Sequence, residues 1–137
     1  MPGKKTKIIL DTNIWISFLI SDRFKHLDDI ILGPDVHLVF CEELIEEFIT
    51  VSHRAKFIEF FKEKDIEKLL ELFHTYGVLY KIKSRIKSCR DPKDNFLLSL
   101  AADSGADYLA TGDKDLLEIG KIGKTKIISL HELEEIL

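Results

Sequence analysis

The chain has 137 residues, 45% of them hydrophobic and 32% charged, and a formal net charge of −4; this is the make-up of one soluble globular domain spanning residues 1–137. The acidic balance argues against a protein that coats nucleic acid by bulk charge, and the apolar runs are too short for a membrane span. Two cysteines, Cys41 and Cys89, form no Cys-x-x-Cys pair and have no histidine cluster, which removes zinc ribbons and disulfide scaffolds from consideration.

The cysteines are expected reduced and half-buried. The start, Met-Pro-Gly-Lys-Lys, has no apolar leader, so a cytoplasmic protein is expected. Lys7-Ile8-Ile9-Leu10 then runs apolar without alternation and ends on Asp11, which reads as a strand buried on both faces. Ile14 to Ile20 is apolar nearly all round, a helix packed on a sheet, and Phe24 to Leu32 reads as another, stopped by Gly33-Pro34. Val36 to Phe40 is the second strand. Cys41-Glu42-Glu43 opens a helix whose apolar positions Leu44, Ile45, Phe48, Ile49 and Val51 recur at helical spacing, with acids in its first turn.

Residues 57–76 read as two helices, and Val78 to Ile82 as a third strand. From Lys81 to Arg90 the chain carries five cations and no acid. That segment is either a solvated strand edge or a path for phosphates through Lys83, Arg85, Lys87 and Arg90. Asp91-Pro92-Lys93-Asp94 carries helix-start signals, and the helix runs to Gly105. Ala106 to Thr111 is the fourth strand, closed by Gly112-Asp113; a short helix opens at Asp115, Lys126 to Ser129 is the fifth strand, and Ser129 with Glu132 forms a capping-box signature for the last helix. Strands alternate with helices throughout, which predicts an α/β fold with a parallel sheet of about five strands.

Parallel strands present their carboxyl ends on one side, so Asp11 and Asp113 are expected at one crevice. Asp94 precedes the fourth strand. In the helix after the second strand Glu47 borders the apolar stripe, while Glu46 and Glu43 point more to water. Each acid also has an ordinary structural use: Asp11, Asp91 and Asp94 as helix-start residues, Asp113 as a turn residue, Glu47 as a solvated glutamate. If they converge, carboxylates without a lysine or arginine among them need a divalent cation to offset their repulsion. An all-oxygen set suits Mg²⁺ or Mn²⁺. The chemistry implied is phosphodiester hydrolysis, by two ions in the fullest form, giving 5′-phosphate and 3′-hydroxyl ends.

Ile9 to Asn13, the Cys41 to Phe48 segment, Arg90 to Asn95 and Tyr108 to Leu117 together resemble, in order and approximate spacing, the PIN domain family. The resemblance is strongest to single-domain prokaryotic toxin components of toxin-antitoxin systems, of the VapC kind. It implies a three-layer α/β/α fold and a metal-dependent endoribonuclease acting on single-stranded RNA. Asp11, Glu47, Asp94 and Asp113 then match the catalytic, metal-binding acids, with Asp115 an extra ligand and Asn13, Thr111 and Asp91 supporting them. Cys41 departs from the serine or threonine many relatives carry. The resemblance further implies an antitoxin that occupies the acidic groove, and a homodimer. Two other readings fit strand-end acids: a PIN-like RNA-binding or RNA-processing module without turnover, and a phosphoacceptor receiver domain.

Overall fold

The computed structural model describes residues 6–15, 35–53, 77–83 and 95–136. The elements are β1 (Thr6–Leu10), β2 (Val36–Phe40), α1 (Glu42–Ser52), β3 (Gly77–Leu79), α2 (Asn95–Ser104), β4 (Tyr108–Ala110), α3 (Lys114–Ile119), β5 (Lys121–Ile122), β6 (Thr125–Ile128) and α4 (Leu130–Ile136); residues 12–15 are also helical. The expected helices over 24–32 and 57–76 lie outside the described residues. No helix among those described is long and apolar enough to cross a membrane.

The six strands form one sheet in the order β3-β2-β1-β4-β6-β5. All neighbours are parallel except β5, which pairs antiparallel with β6. A chain that builds outward from β1 to β2 and β3, then crosses to the other side of β1 for β4, reverses direction between β1 and β4. Ligands of open α/β sheets bind at that switch point, outside the strands' carboxyl ends. This order also separates the chain from receiver domains, whose sheet runs 2-1-3-4-5.

β1 lies at the centre of the sheet, where Ile8, Ile9 and Leu10 are at most 1% exposed, which explains its unbroken apolar run. Leu38, Val39 and Phe40 of β2, Leu109 and Ala110 of β4, and Leu97, Leu98 and Leu100 of α2 complete the core around it. In α1 the buried residues are Leu44, Phe48 and Val51, the stripe expected from the helical spacing. Below the sheet, the Asp107 carboxylate accepts the Lys7 N–H at 2.9 Å and so fixes β1 against the start of β4.

Three features differ from the sequence expectation. The hairpin strand β5 has two residues, too few to show alternation, and it is turned by Gly123 at φ 55°, a left-handed conformation that suits glycine in a two-residue hairpin turn. β3 stops at Leu79 because β2, its only partner among the described strands, ends at Phe40, where the chain turns into α1; the ladder's last bond is Tyr80 N–H to Phe40 O, 2.8 Å. Cys41 is fully buried, and burial, with the Glu43 carboxylate beside it, pushes its thiol up to about 12. Cys89 lies outside the described residues.

Candidate active site

The last registered pair between β1 and β4 is Leu10 with Ala110, so Asp11 and Thr111 leave the two strands side by side. Registered neighbours share a face of the sheet, and the Thr111 hydroxyl donates to Asp11 Oδ2 at 2.7 Å. The backbone closes the same corner: Asp11 N–H donates to Ala110 O at 3.0 Å, and Thr111 N–H to Ile128 O at 3.0 Å. Asp11 also begins the helical turn 12–15, its carbonyl accepting from Ile14 and Trp15 N–H. The carboxylate is therefore held by a central strand, a neighbouring hydroxyl and the start of a helix at once.

Thr111 carries the connection onward. Its Oγ1 accepts the Asp113 N–H at 3.0 Å. Asp113 is the N-cap of α3, with Oδ1 accepting from Asp115 N–H at 2.8 Å and Leu116 N–H at 3.3 Å. Its other oxygen, Oδ2, makes no hydrogen bond with the described residues. One hydroxyl thus joins the two strand-end acids, and one oxygen of Asp113 fills the turn role considered for it.

Asp11 is 5% exposed. Its carboxyl is raised above the ordinary 3.8, chiefly by burial and further by the charge of Asp113; the Thr111 hydroxyl and the N–H groups of Thr12 and Asn13 pull the other way. Neither acid takes part in an ion pair among the described residues. A buried carboxylate next to a second one, with no cationic side chain of the described residues set against them, is the electrostatic situation a divalent ion relieves. The donors are hard oxygens, and Mg²⁺ is commonly held by one or two carboxylates with the rest of its shell left to water and substrate phosphate. Mg²⁺ or Mn²⁺ fits these residues.

Glu47 stands midway along α1, half-buried, with Oε2 buried, whereas Glu46 and Glu43 are exposed. Among the described residues no three His, Cys, Asp or Glu side chains are gathered closely enough to hold an ion, so Glu47 does not complete a three-acid group with Asp11 and Asp113 there. Asp115 is half-buried in the first turn of α3, and Asn13 is exposed beside Asp11. Asp94, Asp91, Arg85, Lys87 and Arg90 lie outside the described residues. Lys83 is exposed, and its backbone N–H donates to Asp103 Oδ2 at 2.6 Å. Sequence reasoning passed over Thr12, 2% exposed, whose buried Oγ1 has no hydrogen-bond partner among the described residues. Its place between Asp11 and Asn13 was the available signal.

The model of the PIN domain matches residues 7–115, a stretch that starts just ahead of Asp11 and ends on Asp115. The chain belongs to the PIN domain family. PIN domains are a nuclease-type fold, and most are metal-dependent ribonucleases acting on nucleic acid. The chain is also 30% identical over 139 residues to the uncharacterized protein MJ1680 of Methanocaldococcus jannaschii, covering 93% of this chain and 84% of that one.

Proposed function

We propose that this PIN domain is a Mg²⁺- or Mn²⁺-dependent endoribonuclease that cleaves single-stranded RNA, and that it is the toxin of a toxin-antitoxin pair. The observation that carries the nuclease reading is the pairing of Asp11 and Asp113 through the Thr111 hydroxyl at the switch point between β1 and β4. Asp11 and Asp113 would hold the cation directly, with Asp94, Asp115 and the more distant Glu47 as the further acids of the set. When bound, the cation supplies Lewis acidity toward an attacking water and a counter-charge for the leaving oxygen.

This chain's own groups do the rest. Burial keeps Asp11 from being satisfied by water, so its charge is directed to whatever cation enters. Thr111 fixes the orientation of that carboxylate, as groups behind metal ligands commonly do. Asp113 spends one oxygen on the start of α3, which sets the direction of the other. Lys83, Arg85, Lys87 and Arg90 would take the strand's phosphates, in line with the cation-rich segment that carries them.

The test is degradation of an end-labelled single-stranded RNA by pure protein. The expected result is cleavage in Mg²⁺ or Mn²⁺ that EDTA abolishes and Asp11→Asn or Asp113→Asn removes. RNA binding without cleavage in either metal would leave an RNA-processing module without turnover. For the toxin role, growth arrest on expression, relieved by the small protein of an adjacent reading frame, is the expected outcome. A homodimer on size exclusion is expected from the same resemblance.

A further inference from the structure

The carboxyl edge of the sheet holds a second concavity, on the β2–β3 side. A cleft of about 360 Å³ is lined by Glu42, Glu43, Leu79, Tyr80, Lys81 and Ile82, a volume at the small end of the range for ligand pockets. It opens because the chain leaves β3 after Leu79 as residues 80–83, outside any strand, while the chain after β2 turns away into α1. Leu79 is 61% exposed there. Tyr80 is half-buried, with the Lys7 ammonium 5.5 Å from its ring centroid, a contact that steadies the ring. Glu43 lies four residues before Glu47, on the same side of α1, so the cleft adjoins the helix face that carries the candidate catalytic glutamate.

The lining selects its occupant by chemistry. Two glutamates repel a phosphate. Lys81 counts against a lysine or arginine side chain and against a bare cation. Leu79, Ile82 and the Tyr80 ring favour a flat apolar face, on which any base can stack. What satisfies all of them has a π face, N–H groups for a carboxylate and an oxygen for an ammonium. Guanine has all three: N1–H and N2–H₂ are adjacent and match the two oxygens of one carboxylate, and O6 accepts from lysine. Adenine and cytosine offer a single amino group, and uracil a single N–H.

We propose that this cleft is a guanine subsite that selects which phosphodiester of a single strand reaches Asp11 and Asp113. The proposal rests on the ribonuclease reading for its polymer and on the cleft for its base. The probes are fluorescein-labelled ten-nucleotide oligouridylates carrying one central guanine, hypoxanthine or adenine, titrated with the full chain in EDTA and read by anisotropy. The guanine strand is expected to bind roughly tenfold more tightly than the other two, the discrimination of one bidentate pair. Glu42→Gln or Glu43→Gln, both at exposed positions, brings the guanine-to-hypoxanthine ratio to about one. Tyr80→Ala weakens all three strands together.

Equal or undetectable binding of the three strands, or a ratio that survives both glutamine variants, overturns the subsite. Displacement of the guanine strand by arginine amide at lower concentration than by GMP also overturns it, and assigns the cleft to a basic protein partner. The same strands with Mn²⁺ separate the two readings. Cleavage indifferent to guanine removes the subsite and leaves the nuclease, whereas guanine preference in EDTA without cleavage in Mn²⁺ removes the nuclease and leaves the subsite.

Discussion

Two stretches of one sheet edge use the same side-chain chemistry to opposite ends. Between β1 and β4, Asp11 is buried, accepts a hydroxyl and faces the charge of Asp113. Between β2 and β3, Glu42 and Glu43 are exposed at the start of α1, where acids are favoured by the helix dipole. The contrast teaches that burial, more than the presence of an acid at a strand's end, makes a carboxylate demand a cation. An exposed glutamate has water for a partner, and a buried aspartate does not.

The largest effect that would break this comparison is at Asp11 itself. Asp11→Asn is expected to lower metal-dependent RNA cleavage by well over the roughly 10–100-fold that loss of a group behind a ligand costs, while the metal-free protein melts no earlier than the parent. The asparagine removes a buried charge, and the Thr111 hydroxyl can turn to accept from its amide. A variant that melts earlier and still cleaves would make Asp11 a structural cap like any other. Thr111→Val comes next: it keeps the shape and deletes the hydroxyl shared by the two acids, so metal affinity measured by calorimetry should fall roughly 10–100-fold.

A third effect is read in melting temperature against pH. Because the folded state raises the Asp11 carboxyl, the folded chain holds that proton more tightly than the unfolded chain. Its contribution to metal-free stability is full below the ordinary value near 3.8 and is lost as pH rises through the raised value. Mn²⁺ should act in reverse, stabilising by about 2.7 kcal/mol at a hundred times its dissociation constant and losing that gain as pH falls through the same interval. Asp11→Asn should flatten both trends; a gain from Mn²⁺ that survives in that variant places the ion elsewhere. The smallest effect is at Cys41, the N-cap of α1 that makes no side-chain capping bond. Cys41→Ser adds a hydroxyl that can cap, and should raise stability by up to about 1 kcal/mol in urea unfolding.

The placement of Asp11 and Asp113 at the β1–β4 rim was legible in the sequence because its signals are local. Ile8-Ile9-Leu10 without alternation marks a central strand, and Asp11 and Asp113 each follow a strand by one to three residues. The parallel sheet followed from alternation of element types, and the capping box of α4 forms between Ser129 and Glu132 as its spacing indicates. What could not be read was non-local. The hydrogen bond from Thr111 to Asp11 spans 100 positions, and only the β1–β4 register brings it about. The cleft between α1 and β3 depends on where two strands stop relative to each other. The β5 hairpin is too short to leave a pattern.

That hairpin has a bearing on how copies of the molecule can meet. At the sheet's last position Lys121 lies opposite Lys126, two like charges paired across a strand of two residues. A foreign strand arriving at this end would find few backbone groups to bond and a lysine on the edge strand, a known defence against edge-to-edge growth. Among the described strands, this end of the sheet is therefore a poor template for a continuous ribbon of copies.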